Sequence, residues 1–161
     1  MLFDLFTGCT HARLVPETPV ASMEYRVDNA TRYPTLSFTL RRDDDGHFRL
    51  TNATGCDPEQ APDILLPDDS FAEQLRQIVI EEHMIAYKEN YSSWRHRHVC
   101  GGSMWRFRLA FTDSETAVSS SGYMVYPEGN GLSRVEQLCR ETWNRYYQAP
   151  RKDTDNPSLK Q

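Results

Sequence analysis

Trp105, Phe107, Leu109 and Phe111 occupy alternate positions, with Arg106, Arg108 and Ala110 between them. Successive side chains of a strand point to opposite faces, so this period of two puts an apolar row on one face and a largely charged row on the other. An antiparallel sheet covered on one side only produces that pattern. Thr112-Asp113-Ser114 follows as turn chemistry, because short polar side chains bond their own backbone. Thr116 to Tyr126 reads as the return strand, with Tyr123 and Val125 opposite in parity to Met124 and Tyr126. Gly122 inside it marks a bulge or a close approach of another backbone, and Pro127 ends it because proline has no N–H to give a ladder. The stretch from Gly101 to Pro127 is thus expected to be the hairpin around which the rest of the chain packs. Its parity places Arg106, Arg108, Met124 and Tyr126 on the exposed side, as a candidate contact patch for a protein or small-molecule partner. Ser119-Ser120-Ser121-Gly122 lacks the G-x-S-x-G pattern and the strand–turn–helix setting of a nucleophile elbow, so it reads as polar strand surface.

The rest of the chain supplies partners for this hairpin. Met23, Tyr25 and Val27 alternate in a first strand over 21–28, and Leu36, Phe38 and Leu40 in a second. Asp43-Asp44-Asp45-Gly46 joins the second to a third strand carrying Phe48 and Leu50, since Asp-Gly is a strong hairpin signal. Three acids also suggest calcium, but the further oxygen ligands and closing glutamate of a calcium loop are missing. Ile64-Leu65-Leu66 is a short apolar lead into a helix. Ser70-x-x-Glu73 is a capping box, and the helix is expected to run to Tyr87 with Phe71, Leu75, Ile78, Val79, Glu82 and Ile85 on its main face. Ser133-x-x-Glu136 opens a final helix with Val135, Leu138, Cys139, Thr142 and Tyr146 inward and Trp143 at the border. The order β-β-β-α-β-β-α gives an α+β two-layer sandwich: an antiparallel five-stranded sheet with two helices on one face. Residues 1–20 read as a flexible N-terminal segment, 21–149 as one domain and 150–161 as a disordered tail.

At 161 residues the chain has enough length for one domain with its own core. A formal charge of −5 offers no electrostatic case for nucleic acid or an anionic membrane. Arginine supplies 15 of the 18 basic residues, which suits ion pairing and ring stacking. No apolar run approaches the ~20 residues of a membrane span. The four cysteines, at 9, 56, 100 and 139, allow three pairings that spacing does not choose among.

Two stretches carry chemistry. In Trp94-Arg95-His96-Arg97-His98-Val99-Cys100, an extended backbone would put His96, His98 and Cys100 on one face, and imidazole and thiolate are the ligands zinc prefers. His83 or Glu82 would complete such a set. Arg95 and Arg97 oppose a dication there, so a solvated, ion-paired loop is the leading reading, with no cofactor; a zinc-binding domain or zinc-dependent hydrolase is the alternative. Near the start, Leu5-Phe6-Thr7-Gly8-Cys9 has the form of a lipobox, with Gly8 as the small residue before an acylated Cys9. The apolar stretch is short, Asp4 interrupts it and no basic region precedes it, so lipid attachment requires a start upstream. Membrane association is expected only through that anchor, placing the chain in the cytoplasm or, as a lipoprotein, at the cell envelope.

Tyr33-Pro34 before a strand, Asp45-Gly46, Glu81-Glu82-His83 followed by Tyr87-Lys88, Trp105, Ser120-Ser121-Gly122-Tyr123 and Tyr126-Pro127 occur in an order that resembles a group of small bacterial α+β proteins, often lipoprotein-like, to which no activity is assigned. The likeness spans residues 23 to 147 and implies the fold and possible export. It implies nothing about mechanism; the first functional reading, from the residues themselves, is a non-enzymatic domain acting through surface or partner binding.

Overall fold

The computed structural model of the protein describes residues 15–96, 101–113 and 117–148, and these form seven strands and two α-helices. In chain order these are β1 (Val20–Asp28), β2 (Leu36–Arg42), β3 (Phe48–Asn52), β4 (Asp63–Leu65), α1 (Ser70–Glu81), β5 (Asn90–Tyr91), β6 (Met104–Phe111), β7 (Ala117–Tyr123) and α2 (Gly131–Tyr146). They form one open sheet in the order β4-β3-β2-β1-β6-β7-β5. Every pairing is antiparallel except β5 with β7, which is parallel. The fold is α+β, and the expected five strands are seven: β4 and β5 are short edge strands of three and two residues.

The alternation around Trp105 does what its period dictates. Trp105, Phe107, Leu109 and Phe111 are all buried, with Arg106 and Arg108 exposed between them. Register carries the same face across the sheet: Phe107 lies opposite Tyr25, and Tyr25 opposite Phe38. Leu40 lies opposite Leu50, and Leu50 opposite Ile64. Phe71, Leu75, Ile78 and Val79 of α1 and Leu132, Val135, Leu138 and Cys139 of α2 join this row in one core. Each such side chain contributes roughly 1.5–3 kcal/mol on leaving water.

The β2–β3 turn is a polar hairpin turn. Gly46 sits at φ +84°, and Asp43 Oδ1 accepts from the N–H of Asp45 at 3.1 Å and of His47 at 2.9 Å. Those bonds engage the carboxylate that a calcium loop would have needed.

Element ends depart from the sequence expectations. Ser70 is the first residue of α1 rather than its cap, and its N–H donates to Asp68 Oδ1 at 2.9 Å. Likewise α2 begins at Gly131, two residues before Ser133. Helix α1 stops at Glu81, not Tyr87, because His83 takes a left-handed φ of 51° and a single 3-10 turn over Met84–Ala86 follows. In α2, Trp143, expected at the border, is buried, and Tyr146, expected inward, is exposed. Trp143 stacks on Tyr147 at 4.5 Å and meets Phe38 edge-on at 6.5 Å. Cys56 and Cys139 are free thiols; burial, then the Glu136 carboxylate, pushes the Cys139 thiol up. No described helix is long and apolar enough to cross a membrane.

Candidate functional site: the uncovered face of the sheet

The helices cover one face of the sheet. The other face is polar. Strand register places Glu24, Arg26 and Asp28 of β1, Arg41 of β2, Arg49 of β3, Asp63 of β4, and Arg106 and Arg108 of β6 on it. Asp43 joins from the turn, within 3.4 Å of Arg49. The face therefore has one net positive charge, on a chain of net −5.

The carboxylates are unevenly shared. Asp28 binds Arg26 bidentately, at 2.7 and 2.9 Å, and this pairing raises the Arg26 pKa further. Asp43 and Asp63 flank Arg49 at 3.4 and 3.3 Å. Glu24 reaches Arg108 only at 4.0 Å. Arg41 and Arg106 have no ion pair or hydrogen bond among the described residues.

One corner of this face is concave. A groove of about 560 Å³ lies where β1, β6, β7 and β5 meet, lined by Arg26, Asp28, Asn90, Arg106, Ser121 and Tyr123 among others. Its shape starts on the opposite face. Trp105 turns its indole N–H to the carbonyl of Val125 at 2.7 Å, and Gly122 crosses directly over that ring. A Cβ on Gly122 would collide with Trp105 Nε1 and with Val125 O. Glycine is required there by close approach.

Of the sequence-derived patch, Arg106 and Arg108 lie on the open face as parity requires. Met124 and Tyr126 do not share their strand geometry, because β7 ends at Tyr123 and Met124 has φ +55°. The turn sends Tyr126 back over Trp105, where the rings stack at 5.9 Å and 18° on the core side of the sheet. Tyr126 Oη lies 3.0 Å from Ser103 Oγ. Met124 and Tyr126 remain exposed. Tyr91 tilts against Trp105 at 5.7 Å and Tyr87 meets Tyr91 edge-on at 6.3 Å. Burial, then Tyr91 and Glu82, pushes the Tyr87 phenol up to about 12.

The serines do not form a reactive loop: Ser120 is buried and donates to the carbonyl of Lys88 at 2.6 Å, and Ser121 Oγ reaches Glu89 O at 3.4 Å. Of the zinc candidates, His98 and Cys100 lie outside the described residues, as does the lipid-attachment candidate Cys9. His96 is described only as the end of a 3-10 turn, Trp94–His96, and His83 is exposed. Among the described residues no group of three His, Cys, Asp or Glu side chains is placed to hold a metal ion. Glu82, the other candidate ligand, accepts from Asn130 N–H at 3.1 Å and pairs with Arg134 at 3.0 Å.

No family model, no curated protein and no solved structure matches the chain. The functional reading therefore rests on the geometry of this face. Arg26, Asn90 and Ser92 escaped the sequence reading because only the insertion of β1 between β2 and β6, and of β5 beside β7, brings them to Arg106. The signal that was readable was the arginine alternation in β6.

Proposed function

We propose that this chain is a non-enzymatic binding domain whose uncovered sheet face takes an acidic segment of a partner protein. The observation that supports this is the charge distribution: a cationic face, with Arg41 and Arg106 unpaired among the described residues, on an acidic molecule. Guanidiniums present several donors in a fixed fork that matches a carboxylate. A net charge of −5 repels acidic probes from the rest of the surface, so their binding has to be local.

The test is fluorescence anisotropy with a labelled glutamate-rich peptide over a salt series. Wild-type protein should bind, and affinity should fall as salt rises. Arg106→Glu/Arg108→Glu should weaken binding by about tenfold or more. Equal binding by the folded double variant, or binding unaffected by salt, rejects the face.

A further inference from the structure

Resting on that reading, we propose that the groove between β1, β6, β7 and β5 is a monocarboxylate site anchored by Arg106. Four residues on four strands stand in one row: Arg26 opposite Arg106, Arg106 opposite Ser121, Ser121 beside Asn90. Directly opposed side chains in a sheet start roughly 4.5–5.5 Å apart at Cβ, so the two guanidiniums share one space. Asp28 already satisfies Arg26 with two hydrogen bonds. One positive charge is left over, and it belongs to Arg106.

That arithmetic selects the ligand. A single negative charge matches the groove, and the flat carboxylate fits the guanidinium fork. A phosphate dianion would bring a second charge up against the Asp28 carboxylate. The neighbours are neutral hydrogen-bonding groups. Asn90 and Ser92 are exposed, and their side chains have no partner among the described residues. Met104, half-exposed opposite Asp28, adds an apolar rim. The ligand implied is a carboxylate attached to a body with amide or hydroxyl groups, as a peptide supplies from either its C-terminus or an acidic side chain.

The experiment is an amide-shift NMR titration of the full chain with four probes: an N-acetylated dipeptide with a free C-terminus, an amidated peptide with one internal glutamate, the fully amidated neutral dipeptide, and inorganic phosphate. The two carboxylate probes differ in source, and the tighter one identifies it. Saturable shifts at Arg26, Arg106, Ser121 and Asn90 are expected with one or both carboxylates, weaker ones with phosphate and none with the neutral dipeptide. Arg106→Gln should cost about tenfold, and Arg108→Gln, on the same face but outside the groove, only about threefold. The site is overturned if phosphate binds tighter than both carboxylates, if the neutral dipeptide binds equally, or if Arg106→Gln matches wild type. Equal losses in Arg106→Gln and Arg108→Gln also overturn the groove, while leaving the cationic face intact. If neither variant alters binding of an acidic peptide, the face falls as well.

Discussion

Arg26 and Arg106 face each other across β1 and β6, and among the described residues only Arg26 has a carboxylate to answer it. Asp28 is therefore the residue that sets the groove's charge. Asp28→Asn leaves two uncompensated guanidiniums side by side. Tighter binding of acidic peptide and a steeper salt dependence are expected, measured by isothermal titration at several ionic strengths. The half-exposed pair itself is worth under ~1 kcal/mol, so the variant should stay folded. Weaker binding by Asp28→Asn would mean that Asp28 positions Arg26 rather than limiting it.

Gly122→Ala tests how the groove corner is built. The new methyl group would press on the Trp105 ring and the Val125 carbonyl, both fixed by their mutual hydrogen bond. Overpacking of this kind costs ~1–3 kcal/mol. Urea unfolding followed by tryptophan emission should show a lower midpoint with an unchanged slope. An unchanged midpoint would contradict the close approach.

The sheet's centre was legible because its strands are long enough to have a period. Trp105 to Phe111 and Leu36 to Leu40 alternate over several residues, and burial follows the alternation except at Ser37, which is buried as well. Asp63–Leu65 and Asn90–Tyr91 contain too few residues for any period to be read, and they are strands only because β3 and β7 offer them an edge. The end of α1 was hidden for a related reason: apolar spacing continues through Met84 and Ile85, while the break is made by a left-handed histidine instead of a glycine. In α2, positions 143 and 146 both extend the apolar stripe, and the choice is made by Phe38 and Tyr147 packing on Trp143. Both serines chosen as caps were good local candidates, displaced by helices that start one and three residues earlier than the box requires. Of the groove only Arg106 was legible, since its row joins residues from 26 to 121 through strand order alone.

The two helices are joined by charge. Arg134 pairs with Glu81 at 2.6 Å and with Glu82 at 3.0 Å. Arg134, then the Asn130 N–H, holds the Glu82 carboxyl below the usual glutamate range; Gln77, then Arg134, does the same for Glu81. The folded pKa values are depressed, so the unfolded chain takes up protons first as pH falls. The stabilisation is fully present above the ordinary value of 4.5 and is lost as pH drops through the lower folded values. Arg134→Gln should thus melt below wild type at pH 7, with the gap closing under acid conditions. Thermal unfolding across pH 3–7 checks this; a gap that is constant or widens toward acid rules out the pairing as its source.

The most direct measurement is a backbone amide-shift map of the wild-type chain titrated with a glutamate-rich peptide. Perturbations confined to β1, β2, β5, β6 and β7, largest at Arg26, Arg106, Ser121 and Asn90, are the expected result. Shifts centred on α1 and α2, or spread evenly over both faces of the sheet, would contradict a function carried by the uncovered arginine face.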